Sequence, residues 1–126
     1  MGKTSSFQDL TVWREAMGLV EDVYRVTSRF PVHERYGLIG QLRRAAVSIA
    51  SNIGEGKRRR RQRALHYHLD IALGSQGEVE MQLEIARRLG FIDERDYSGL
   101  IDRAGQVGRM LHGLIASIEK DLNQGS

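Results

Sequence analysis

The chain of 126 residues contains no cysteine and a single proline, Pro31. The missing thiol excludes a thiolate metal site, a disulfide framework and a cysteine nucleophile, and it fits a reducing compartment. No apolar run approaches the roughly 20 residues that a membrane-spanning helix requires. The opening residues, MGKTSSFQ, lack the apolar core of a secretory signal. A cytoplasmic protein with no membrane partner is the expectation. No stretch alternates apolar and polar residues with strand period.

Catalytic signatures are missing as well. A di-metal site in a helix bundle uses Glu-x-x-His pairs, and none occurs here. His66 and His68 stand two apart and diverge on a helix, while His33 and His112 are isolated. No nucleophile has a base whose position the sequence locates. GKTS lacks the upstream glycine and strand of a phosphate-binding loop. MGKTSS meets only the loosest form of the myristoylation pattern. The chain reads as non-enzymatic, with no catalytic residue, cofactor or metal. A single domain over residues 9–122 is expected, flanked by flexible tails at 1–8 and 123–126.

What is present is helical periodicity. Over 9–28, Trp13, Ala16, Val20 and Val23 form one stripe, and Val12, Leu19 and Val26 a second. Pro31 then breaks the helix. Over 33–56, Ile39, Leu42, Ala46, Ile49 and Ile53 make a heptad seam, which Gly54-Glu55-Gly56 is expected to stop. Over 62–88 the seam is Leu65, Leu69, Ala72, Gln76, Val79, Leu83 and Ala86, with Gly90 as the C-terminal cap. Asp93 or Asp96 caps a fourth helix to 122, whose seam is Tyr97, Leu100, Ala104, Val107, Leu111, Leu114 and Ile118. Its second stripe is Ile101, Gly108, Ile115 and Leu122.

These elements predict an all-α, antiparallel up-and-down four-helix bundle. The first and fourth helices carry two stripes each, more than a closed core needs; the surplus is assigned to other subunits, with a fatter monomer core as the alternative. Glycines inside the helices, including Gly18, Gly74, Gly77 and Gly108, imply close backbone approaches, with a tight crossing expected at Gly74-Ser75. Arg44, Ser48, Asn52 and Glu55 share one face of the second helix; Ser75, Glu78 and Gln82 share one face of the third. If the two faces meet, a buried polar network fixes the register; the alternative is a polar pocket or binding groove.

Charge is distributed unevenly. Residues 54–68 hold six basic side chains and one acidic, a net of +5, while the rest of the chain holds 13 basic and 15 acidic. Lys57, Arg58, Arg59, Arg60, Arg61 and Arg63 are therefore the candidate nucleic-acid-binding residues. A merely solvated turn explains an isolated run equally well. His66 and Tyr67 add aromatic surface for stacking on bases, and packing against a neighbouring helix is an equal reading of Tyr67.

Three segments, FQDLTVWREAMGLVEDVY, FPVHERYGLIGQLRRAAVSIASNIGEG and LDIALGSQGEVEMQLEIARRLGFI, closely resemble the four-helix-bundle proteins related to the polypeptide encoded in the intervening sequence of bacterial 23S ribosomal RNA genes. These are sometimes labelled S23 ribosomal proteins. The resemblance implies a ring-like homopentamer. It also implies similarity to the accessory variability determinant of diversity-generating retroelements, a basic pentamer that binds nucleic acid and a reverse transcriptase. The family's recurring residues correspond to Arg44, Ser48, Asn52, Glu55, Gly56, Gly74, Ser75 and Glu78, with no catalytic role attached. The cation run here is denser than the family pattern. The reading is a non-enzymatic oligomer that binds RNA ahead of DNA as an adaptor; the alternative is a protein-interaction scaffold.

Overall fold

A computed structural model describes residues 6–124, and within them four long helices and no strand. They are α1 (Thr11–Thr27), α2 (Gly40–Arg59), α3 (Gln62–Arg88) and α4 (Glu94–Gln124). Each packs on the next, and α4 returns to α1. Contacts at the helix ends establish the directions. Arg43 Nε donates to Thr27 Oγ1 at 2.9 Å, joining the end of α1 to the start of α2. Tyr97 Oη donates to Glu84 Oε1 at 2.9 Å, joining α3 to α4. Arg29 and Asp96, 3.2 Å apart, tie these two corners together at one end of the bundle. Neighbouring helices therefore run antiparallel, and the α2–α3 turn lies at the opposite end.

The seams of α2 and α3 are buried as their spacing predicts, except that Leu65, at the start of the α3 seam, is only half-buried. In α1 the buried set is Val12, Ala16, Leu19, Val23 and Val26, stepping four, three, four, three. That seam draws members from both sequence stripes and leaves Trp13 and Val20 half-exposed. The second stripe of α4 is also used internally, with Gly108 and Ile115 buried. The apolar surplus expected on α1 and α4 lies mainly elsewhere. Tyr67, Ile71, Met81 and Ile85 of α3, with Leu89 at its C-cap, stand exposed.

Several boundaries differ from expectation. The regular part of α2 starts at Gly40, not near 33. A 3₁₀ turn (Val32–Glu34) and a π-helical turn (Arg35–Ile39) precede it. The Glu34 carboxylate accepts the Leu38 amide at 3.2 Å, and Gly37 leaves helical geometry, so the regular ladder begins only beyond them. Of the expected N-terminal tail, residues 1–5 lie outside the described residues, and with them the GKTS match and all of MGKTSS but Ser6. Phe7–Asp9 forms a 3₁₀ turn, and the Phe7 ring packs edge-on against Trp13 at 5.1 Å. At the other terminus α4 continues to Gln124, and 125–126 lie outside the described residues.

The α3–α4 corner ends as the sequence predicts. Gly90 has φ 77°, its amide donates to the Arg87 carbonyl at 3.1 Å, and the Phe91 amide donates to the Ala86 carbonyl at 2.9 Å. Both bonds belong to a Schellman cap. Asp93 Oδ1 then accepts the Asp96 amide at 2.7 Å and caps α4.

Glu84 gathers this corner. It accepts from Arg87 Nη2 at 2.9 Å, Arg88 Nε at 2.8 Å and the Tyr97 hydroxyl. These donors, Arg87 first, lower its pKa from 4.5 to about 2. A depressed carboxylate pKa contributes stability above the unfolded value, and that contribution is lost as pH falls from 4.5 toward 2. The melting temperature of the native chain should therefore drop more between pH 7 and pH 3 than that of Glu84→Gln. Parallel acid profiles would contradict this.

Candidate nucleic-acid interface

The candidate cations are displayed where two helices reverse direction. Lys57, Arg58 and Arg59 occupy the last turn of α2, where positive side chains suit the negative end of the helix dipole. Arg60 ends the helix with φ 64° and ψ 8°, a left-handed conformation that costs a non-glycine residue about 1–3 kcal/mol. Arg61 is extended, and Arg63 lies in the first turn of α3. Arg58, Arg59, Arg60, Arg61 and Arg63 are exposed, and Lys57 is half-buried.

The helix runs through Gly54-Glu55-Gly56 instead of stopping there. Gly56 takes the seam position after Ile53. A Cβ at Gly56 would lie 2.9 Å from His68 Cβ and 3.2 Å from Leu65 Cδ1. Its missing side chain lets α3 depart close against α2, and so brings the two halves of the cation run together. The crossing expected at Gly74-Ser75 is not tight. A Cβ at Gly74 or Gly77 would meet nothing within 4 Å.

The cations are not equivalent. Glu55 Oε2 accepts from Arg59 Nε at 2.7 Å, and Glu55 Oε1 from Arg58 Nη1 at 3.3 Å. The Arg59 hydrogen bond is the main reason that the Glu55 carboxyl sits below its ordinary pKa. Lys57, Arg60, Arg61 and Arg63 form no ion pair with another described residue. The start of α3 has no side-chain cap and no acid in its first turn, so the positive helix end adds to this field. His66 is held by Glu119 of α4, Nε2 to Oε2 2.8 Å. Tyr67 is 61% exposed.

The polar stripes of α2 and α3 meet only in part. Ser48 Oγ and Ser75 Oγ are 2.8 Å apart, and Asn52 Nδ2 donates to the Ser48 carbonyl at 3.0 Å and to its Oγ at 3.2 Å. Asn52 Oδ1 faces His68 Nδ1 at 2.9 Å, which places a proton on that nitrogen. Glu55 falls outside this network and pairs instead with Arg58 and Arg59, three and four residues on. Arg44 and Glu78 instead line an open cleft of about 350 Å³ with Gln41, Ser48, Ser75 and Gln82.

Sequence reasoning overlooked His68 as a member of the network. It also treated Gln76 as an ordinary seam residue. Gln76 is buried, donating through Nε2 to the Ala104 carbonyl at 2.9 Å and to Glu80 Oε2 at 2.8 Å, with Gly108 leaving room for its amide. A glutamine inside an otherwise aliphatic seam was the available signal.

The sequence model described as 23S rRNA-intervening sequence protein matches residues 8–113. Among solved structures, the chain is similar to a protein of unknown function from the S23 ribosomal protein family of Bacteroides thetaiotaomicron VPI-5482. The TM-score is 0.76 at 22% identity, over 83% of this chain and 98% of that one. That likeness shows the same fold. No curated protein matches the chain. No helix among the described residues is long and apolar enough to cross a membrane.

Proposed function

The chain belongs to the 23S rRNA-intervening sequence protein family, and from that premise we propose that it is a non-enzymatic, cytoplasmic bundle that assembles as a ring and grips nucleic acid, RNA ahead of DNA, through the α2–α3 turn. The observation that carries this reading is the turn itself. Six cations share one corner, four without an acidic partner, in a chain whose remainder is slightly acidic.

Assembly rests on two unlike apolar surfaces. One is the exposed apolar stripe of Ile71, Met81, Ile85 and Leu89, beyond Tyr67. The other is a groove of about 240 Å³ lined by Trp13, Met17, Val20, Val47, Ala50 and Ser51 of α1 and α2. Unlike surfaces make head-to-tail contacts, which close into a ring when the rotation from one copy to the next closes. The ring is the homopentamer that the family resemblance suggests. Five copies carry five times +3, or +15, and set five basic corners on one rim. Such a band binds backbone phosphate with little sequence discrimination. The role is that of an adaptor between RNA and a larger machine, with a reverse transcriptase as the partner by analogy alone.

The second reading, a protein scaffold without nucleic acid, is favoured by the length of the exposed α3 stripe. A salt titration separates the two. Fluorescence anisotropy on a single-stranded RNA should give log K falling linearly with log salt, by about 0.7 per phosphate neutralised. With the four unpaired cations engaged, the slope is close to 3 per corner. No binding at about 50 mM salt would reject this function and leave the scaffold.

A further inference from the structure

We propose that this corner takes single-stranded nucleic acid, with a base stacked on Tyr67 while Arg60, Arg61 and Arg63 hold the adjoining phosphates. This rests on the nucleic-acid reading above and narrows its ligand.

The corner sorts its side chains into occupied and free. Arg58 and Arg59 are occupied by Glu55, and His66 by Glu119. Lys57, Arg60, Arg61, Arg63 and Tyr67 remain, of which Lys57 is half-buried and the others are exposed. Arg63 and Tyr67 are four residues apart on α3, so they are neighbours on one helix face with Cβ atoms about 5–6 Å apart. The Tyr67 ring meets the His68 ring edge-on, with centroids at 5.1 Å and planes at 79°. Its hydroxyl makes no hydrogen bond with a described residue. A large aromatic that the fold leaves in water, one turn beyond unpaired guanidiniums, combines the two parts of a single-strand site. Cations track the backbone, and a π face receives a base. A duplex keeps its bases stacked inside and offers Tyr67 nothing, so only the phosphate contacts remain. The Arg60 backbone turn brings the phosphate-binding arginines to the start of the helix that carries the ring.

The shared chemistry is an unpaired base beside a phosphate, which RNA and DNA single strands both supply. The experiment measures binding of a 20-nucleotide RNA, the same sequence as DNA, and the corresponding duplex, by the native chain, Tyr67→Ala and Tyr67→Phe. The native chain should prefer either single strand over duplex. Tyr67→Ala should lose about 5- to 100-fold on single strands, keep its duplex affinity and keep its salt slope. Tyr67→Phe should retain most of the single-strand affinity. RNA-only binding still supports the proposal and adds a 2′-hydroxyl contact. Equal affinity of native protein for strand and duplex, or an unchanged single-strand affinity in Tyr67→Ala, overturns it while a surviving salt slope preserves the broader function. Loss of self-association or of a protein partner in Tyr67→Ala, with RNA affinity intact, assigns the ring to a protein contact and also overturns it. Absence of any salt-dependent binding by the native chain overturns both.

Discussion

The variant Arg60→Asn, Arg61→Ser, Arg63→Ser should bind single-stranded RNA about 100-fold more weakly than the native chain at about 0.1 M salt, with its salt slope lower by about 2. Each phosphate contact on a single strand contributes roughly 0.7 of a decade per decade of salt, so three contacts supply about two decades at that concentration. These three cations are chosen because no acid in the fold engages them, whereas Glu55 already holds Arg58 and Arg59. The replacements are chosen to spare the backbone. Asparagine tolerates the left-handed conformation at position 60 better than most residues. Serine at 61 supplies the side-chain cap that α3 lacks. A loss of affinity in this variant is therefore a loss of charge, which a circular-dichroism melt at or above the native temperature would verify. The double variant Arg58→Ser, Arg59→Ser should lose less, since its guanidiniums are already shared with a carboxylate. Equal losses in the two variants would remove the distinction drawn between free and occupied cations.

The largest expected effect on stability comes from Ile53→Ala. Ile53 has 0% exposure in the α2 seam, at the last large aliphatic position before Gly56. Truncation removes buried methylene groups and leaves a cavity that helices on both sides only partly close, which costs about 2–5 kcal/mol. The urea midpoint should fall accordingly with an unchanged slope, because the native and unfolded surfaces alter little. At temperatures where the variant remains folded, its RNA salt slope should match that of the native chain, since none of the free cations is touched. A loss below about 1 kcal/mol would mean that the α2 seam is not a packed core position, and would count against the bundle as described.

The seams of α2 and α3 were legible because the inward residues of each recur at steps of three and four. In α1, Trp13 and Val20 compete with Val12 and Leu19 for the inside, and spacing alone does not rank them. The outward stripe of α3 escaped notice because Gly74 and Glu78 occupy its middle positions and dilute the pattern between Ile71 and Met81. The stop at Arg60 leaves no trace in composition, since arginine is not a residue that marks left-handed turns. Gly54 and Gly56 look like breakers locally. At Gly56 a neighbouring helix, not the chain's own propensity, decides what the missing side chain is for. The basic corner itself was visible from charge alone. Which of its members are free depended on Glu55, whose distances to Arg58 and Arg59 follow helical spacing but whose choice between α3 and its own turn does not.

Native mass spectrometry at low micromolar concentration, with and without a short single-stranded RNA, tests most directly whether several copies gather their basic corners to hold nucleic acid. The account predicts a closed assembly of a few identical chains, pentameric by the family resemblance, that gains RNA mass and loses it as salt rises. A stable monomer, or an assembly of any size that takes no RNA at low salt, would contradict it.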